Sequence, residues 1–139
     1  MTIYSEDRQC QLIFEHTQSQ GMPLPSLCFH VHVHTPQFAG EMGQLWFAWD
    51  AVTHFMTGLR ALEHTRNGVV RLESLAQDEF SIEVYSLNAR GNLAARFRFA
   101  GRIASKNALF PYEFHSGFPI DPVALPLVIS SMAQLQISS

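Results

Sequence analysis

The sequence predicts an α+β domain of about seven mostly antiparallel β-strands with two helices packed on the sheet. Short segments of alternating apolar and polar residues recur along the chain, two other segments carry apolar residues at helical spacing, and turn sequences join neighbouring strands. The 139 residues fit one domain, since separate cores normally appear only above about 250 residues. We therefore expect residues 1–139 to form a single domain, with its core over roughly residues 10–136.

The first strand patterns are short and amphipathic. Residues 10–16 form a brief strand pattern, and glycine and proline predict a loop over residues 18–26. Residues 27–34 then alternate, so that one face is apolar and the other carries Cys28 and three histidines. A return strand over residues 37–47 follows, and its two glycines predict a β-bulge or a strong twist.

The clearest helix pattern begins at Asp50, whose side chain is expected to cap the first-turn amides. Asn67-Gly68 is a natural place for the chain to leave this helix. Between these points, apolar residues follow helical spacing and predict one buried stripe. The stripe consists of Val52, Phe55, Met56, Leu59 and Leu62.

The second half of the chain predicts four more strands, over residues 69–75, 80–87, 93–102 and 110–118. A glycine-containing turn joins the middle two into a hairpin. Both strands can place their apolar faces in the core only if paired residue numbers have an odd sum, and this register puts Glu83 opposite Arg96 or Arg98. Pro111 and Pro119 restrict the last strand to a sheet edge or to strand ends.

A second, shorter helix is predicted after the last strand. Asp121 and Pro122 have the pattern of an N-cap and a first helical residue, and Pro126 indicates that the helix starts late or bends. The apolar stripe of this helix consists of Leu125, Val128, Ile129 and Met132.

Charge and composition exclude several functional classes. With 12 acidic and 9 basic side chains the net charge is −3, so the chain lacks the basic surplus of a protein that binds nucleic acid through phosphate contacts. The apolar runs are far shorter than the ~20 residues that a membrane span needs. The first ten residues have no secretory signal pattern, and we expect a cytoplasmic protein with both cysteines reduced.

The most conspicuous local motif is His30-Val31-His32-Val33-His34. Alternation places its three imidazoles on one strand face, and imidazole is a good ligand for transition metals. With Glu41 as a fourth ligand, this strand could bind a metal or another small ligand. Alternatively, the histidines form the solvent-facing half of an amphipathic strand.

Trp46 and Trp49 flank a dense aromatic block just before the first helix. Tryptophan is enriched at protein-binding hot spots, so both are candidates for contacts with a partner, although packing in the core explains them as well. The sequence offers no combination of nucleophile, general base and oxyanion donors, and no phosphate-binding glycine loop. We therefore expect no enzymatic activity and no cofactor.

The order of these features resembles the WapI-type immunity proteins, small cytoplasmic bacterial proteins that accompany polymorphic toxins. The resemblance spans roughly residues 10–136. It rests on Phe38-Ala39-Gly40-Glu41, on the turn Ala89-Arg90-Gly91-Asn92 and on Phe97-x-Phe99, together with the capped helix and the closing helix. It implies a non-catalytic protein that binds a cognate toxin and occludes it. An open sheet would also leave edge strands through which a homo-oligomer could form.

Overall fold

The computed structural model describes residues 1–135 and confirms an α+β fold of mostly antiparallel strands and two helices. It contains one strand more than the seven predicted, because β1 is only three residues long and gives no sequence pattern. The order of four strands followed by one helix occurs twice along the chain. The elements are β1 (Thr2–Tyr4), β2 (Gln11–Gln20), β3 (Ser26–His34), β4 (Ala39–Ala48), α1 (Trp49–Thr65), β5 (Val69–Glu73), β6 (Phe80–Ser86), β7 (Leu93–Ala104), β8 (Leu109–Pro119) and α2 (Ala124–Ala133).

The strands form two antiparallel sheets in which consecutive strands are neighbours, in the orders β1-β2-β3-β4 and β5-β6-β7-β8. Backbone contacts join the sheets at both margins. Ser5, just after β1, forms an isolated bridge with Ile120, just after β8. At the other margin, the Leu75 N–H donates to the Trp46 carbonyl over 2.7 Å.

One hydrophobic core includes the inner faces of both sheets and the apolar stripes of both helices. Phe80 lies at its centre, with 1% of its surface exposed. The centroid of the Phe80 ring lies 5.9 Å from the ring centroids of both Phe14 and Phe47 in the first sheet. It lies 5.0 Å from the ring centroid of Phe99 in its own sheet. The two sheets are therefore packed against each other through aromatic rings.

The predicted register of the second sheet is confirmed. Phe80 pairs with Phe99 and Glu83 pairs with Arg96, both with an odd sum of residue numbers. The last strand is an edge strand, as its prolines predicted, and Pro119 is its final residue.

The bulge predicted from the two glycines of β4 is also present. Phe29 pairs with Leu45 and Val31 with Met42, so β4 has one residue more than β3 between these pairs. Within this interval Gln44 has a φ of 56°, and the extra residue lets β4 bend around the core.

Both predicted helix caps are wrong. The N-cap of α1 is Ala48, and Asp50 lies within the first turn, where its charge still favours the positive end of the helix. The N-cap of α2 is Val123. Asp121 instead stabilises the turn before the helix, because its carboxylate accepts a hydrogen bond from the Val123 N–H over 3.0 Å.

The loop predicted over residues 18–26 is too long, because β2 continues to Gln20. The residues after Phe14 in this strand are mostly exposed and polar, so they have no apolar alternation to reveal the strand. They pair with β3 through the backbone, as in the pairs of Gln18 with Cys28 and Ser19 with Leu27.

Cys10 and Cys28 are both free thiols, and Cys28 is buried. Within residues 1–135, neither helix has the length and apolar character needed to cross a membrane.

Candidate functional site

The outer face of the first sheet carries a cluster of histidines and glutamates. Leu27, Phe29, Val31 and Val33 of β3 point into the core, so the alternating His30 and His32 point outward. Their side chains are 31% and 32% exposed. The two imidazole rings stack in parallel, with 4.2 Å between the ring centroids and 20° between the ring planes.

A carboxylate lies on each side of this imidazole pair. Glu41, which pairs with His32 across β3 and β4, places its Oε2 3.4 Å from His30 Nε2 and 3.3 Å from His32 Nδ1. Glu15, which pairs with His30 across β2 and β3, places its Oε2 3.6 Å from His32 Nε2. Ligand atoms of Glu15, His30 and His32 all lie within 4.8 Å of one another. Three neighbouring strands therefore bring four potential metal ligands together.

The third histidine of the motif, His34, is exposed at the end of β3. It pairs with Gln11 on one side and with Ala39 on the other, and it takes no part in the contacts of the cluster. Glu15 was not predicted from the sequence. The signal for it was present, because placing the apolar faces of β2 and β3 in the core also requires paired residue numbers with an odd sum.

Trp46 and Trp49 are both half-buried. Trp46 lies on β4 opposite Cys28, and its carbonyl takes part in the link between the sheets. Trp49 begins α1 and packs partly against the core. Each is therefore partly exposed, and a contact with a partner stays a prediction.

A second candidate surface lies on the β7–β8 hairpin. The pairing of β6 with β7 ends at Phe80 and Phe99, whereas the pairing of β7 with β8 continues to Ala104 and Leu109. The end of the hairpin therefore extends past its neighbour in the sheet. Its inner face continues the alternation of Phe97 and Phe99 but is open to solvent.

We call this surface the hairpin face, and it consists of Ile103, Phe110, Tyr112, Phe114 and Phe38. Phe38 comes from the turn between β3 and β4 and stacks on Phe114, with 4.2 Å between the ring centroids. Ile103 is 60% exposed, Phe110 56% and Tyr112 43%. Large apolar side chains grouped in this way are unusual on the surface of a protein that acts alone.

Two concavities adjoin the hairpin face. A mostly apolar cleft of 140 Å³ lies between Phe38 and Tyr112, and Val33 and Phe99 also line it. An open groove of 710 Å³ runs along β7, past the point where β6 begins, and is lined partly by Met42 and Tyr112.

The outer face of the second sheet is a network of ion pairs. Glu83 accepts hydrogen bonds from Arg96 and from Arg71, each over 2.8 Å. The bond from Arg96 is the main cause that holds the pKa of Glu83 below its ordinary value. In the same way, Arg98 donates to Glu113 and lowers the pKa of that carboxyl. These arginines are paired with carboxylates and are poorly placed to bind an added anion.

No family model, curated protein or solved structure matches the chain. The resemblance to the WapI-type immunity proteins stays a prediction from the residue pattern.

Proposed function

We propose that this chain is a non-catalytic protein-binding domain that docks its partner on the hairpin face, and that the partner is a toxin domain that the chain neutralises by occlusion. The observation that carries the proposal is the continuation of the inner apolar face of the second sheet beyond the core. Ile103 and Phe110, which pair directly at this end of the hairpin, are both more than half exposed. A partner that covers them removes apolar surface from water.

The size of the cleft beside Phe38 suits a single side chain of a larger partner better than a whole small molecule. Pockets for small molecules usually have volumes of about 300–1,000 Å³. The cleft beside Phe38 has 140 Å³, which suits one apolar anchor side chain of a larger partner.

The edges of the hairpin also favour a partner strand on one side. Along β7, the Ala100 N–H still donates to the Glu79 carbonyl, and the strand then continues to Ala104 without a paired strand on that side. Along the outer edge of β8, Pro111 has no N–H to offer. An extended segment of the partner can therefore pair with β7 as an added strand in the open groove. Every second side chain of that segment would then lie against the hairpin face.

The resemblance to immunity proteins supports a toxin as the partner. Phe38, the first residue of the Phe-Ala-Gly-Glu segment, is also the residue at the base of the hairpin face. The net charge of −3 favours association with a basic partner, such as a nuclease, through electrostatic steering.

Co-expression with the product of the neighbouring reading frame tests this function. We expect that product to arrest growth and the wild-type chain to relieve the arrest. Ile103→Asp and Phe110→Asp should abolish the relief and weaken binding, measured by calorimetry, by about 30-fold or more, the effect of losing a hot-spot residue. Leu109→Asp is the matched control, because Leu109 is 58% exposed on the opposite face of the same hairpin.

Two results would overturn the proposal. If the neighbouring product is neither toxic nor bound, the chain is not its immunity protein. If sedimentation of the chain alone shows a dimer that Phe110→Asp disperses and Leu109→Asp does not, the hairpin face joins two copies of this chain instead.

A further inference from the structure

We infer that the outer face of the first sheet is a binding site for a divalent transition metal, with His30 Nε2, His32 Nδ1 and a Glu41 carboxylate oxygen as ligands and Glu15 as the residue that orients His32. This site lies on a different sheet from most of the hairpin face and does not depend on the proposed function.

The distances from Glu41 to the two imidazoles match those between neighbouring ligands in one coordination sphere. Ligands bound to zinc at about 2.0–2.1 Å in a tetrahedron lie about 3.3–3.4 Å apart. Glu41 Oε2 lies 3.4 Å from His30 Nε2 and 3.3 Å from His32 Nδ1. The Glu41 oxygen therefore lies as far from each imidazole nitrogen as one ligand lies from another around a single ion, and the paired strands β3 and β4 fix the backbones of these residues.

The electrostatics of the cluster also favour a metal over a simple ion pair. The two imidazole rings stack with 4.2 Å between their centroids, and each ring can offer a nitrogen lone pair to a cation. Glu15 and Glu41 then supply two negative charges that balance a dication.

One atom of the cluster makes no hydrogen bond, although a Glu41 carboxylate oxygen lies 3.4 Å away. His30 Nε2 is shielded from solvent and has no hydrogen-bond partner. A buried polar atom without a partner costs about 1–3 kcal/mol. Coordination of a metal would remove that cost.

Glu15 lies on the far side of His32 from Glu41. Its Oε2 is 3.6 Å from His32 Nε2, and its side chain is 63% exposed, so a small rotation completes a hydrogen bond. A carboxylate in this position keeps the proton on Nε2 and leaves the Nδ1 lone pair for the metal, as carboxylates behind metal-bound histidines do.

The ligand set selects the class of cation. Two imidazoles with carboxylate suit zinc, copper or nickel, whereas calcium and magnesium prefer oxygen ligands alone.

Calorimetric titration of the untagged protein with Zn²⁺ tests the site. We expect one equivalent to bind and Mg²⁺ to give no binding. We expect Glu15→Gln to weaken Zn²⁺ binding by about 10–100-fold, the cost of losing a residue that orients a ligand. Loss of a ligand should weaken binding more, and this applies to His30→Gln, His32→Gln and Glu41→Gln.

His34→Gln is the matched control, because His34 lies on the same strand face but outside the cluster. It should bind Zn²⁺ as the wild type does. The absorption spectrum of the Co²⁺ form gives a second measurement, because tetrahedral Co²⁺ has intense visible bands that Glu41→Gln should change. Melting of each metal-free variant reports whether it has kept its fold.

The inference fails if the wild type takes up no stoichiometric Zn²⁺, or if His34→Gln weakens binding as much as His30→Gln does. Unchanged binding by Glu41→Gln would also overturn the assigned ligand set.

Discussion

Replacement of Phe80 by alanine should be among the most destabilising changes in this protein. The side chain is 1% exposed and its ring contacts Phe14, Phe47 and Phe99. A buried Phe→Ala change costs about 3–5 kcal/mol. Three ring pairs, each worth about 0.5–1.5 kcal/mol, are lost at once, so we expect the upper end of that range, about 5 kcal/mol.

Two companion variants separate the causes. Phe80→Leu keeps most of the buried volume but removes the ring pairs, and it should cost about 2 kcal/mol. Phe110→Ala removes the same type of side chain at a position that is 56% exposed, and it should change the stability by less than about 0.5 kcal/mol.

Equilibrium unfolding in urea measures these differences, followed both by far-ultraviolet circular dichroism and by the fluorescence of Trp46 and Trp49. Both tryptophans lie in the first half of the chain, whereas Phe80 lies in the second half. If the two sheets share one core, Phe80→Ala shifts both signals together. A cost no larger than that of Phe110→Ala, or a fluorescence transition separate from that of the dichroism, would refute this reasoning.

Three further predictions concern charges and close contacts. The pKa of Glu83 is lowered in the folded protein, so its ionised carboxylate stabilises the fold above pH about 4.3, and this contribution is lost as the pH falls through the lowered pKa. When urea unfolding is measured at decreasing pH, the Glu83→Gln variant should therefore lose less stability than the wild type. Burial raises the pKa of Glu79, so the folded protein disfavours its charged form, and Glu79→Gln should raise the melting temperature at neutral pH but not at pH 3. A Cβ on Gly117 would lie 2.6 Å from the Ala95 backbone oxygen, so Gly117→Ala should cost about 1–3 kcal/mol in urea unfolding. Gly101→Ala should cost less, because there the Cβ meets an exposed side chain that can move.

Much of the fold could be predicted because apolar alternation is directly visible in the sequence. The registers of β6 and β7 followed from placing both apolar faces in the core, and the pairing of Glu83 with Arg96 confirms them. The prolines of the last strand predicted a sheet edge or strand ends, and β8 is an edge strand whose final residue is Pro119. In each case a local pattern and the global packing impose the same requirement.

The errors occur where packing overrides a local signal. Asp50 has the residue type of an N-cap, but the N-cap of α1 is Ala48, two residues earlier, and the first-turn Trp49 N–H donates to the Pro25 carbonyl over 2.9 Å. The second half of β2 has no apolar alternation, because its side chains lie mostly in solvent while its backbone pairs with β3.

The candidate site was only partly predictable from the sequence. The His-x-His alternation predicted that His30 and His32 share one face, and the structure places Glu41 beside both rings. Strand pairing excludes His34, which lies at the end of β3, and adds Glu15 from the neighbouring strand. The hairpin face was not expected, because the alternating aromatic residues of β8 have the pattern of a buried strand. Only the greater length of the β7–β8 pairing shows that part of this face lies beyond the core.

The bridge between Ser5 and Ile120 joins the first and last strands of the fold, and the ion pair of Arg8 with Asp121 spans 113 residues beside it. Contacts between such distant parts of a chain form slowly, because the intervening loop must lose much entropy before they are made. On the ribosome, this margin of the protein cannot close until β8 and the turn after it have emerged. Until then, part of the apolar face of the first sheet should remain uncovered during synthesis. We expect the chain to be most prone to aggregation in this interval.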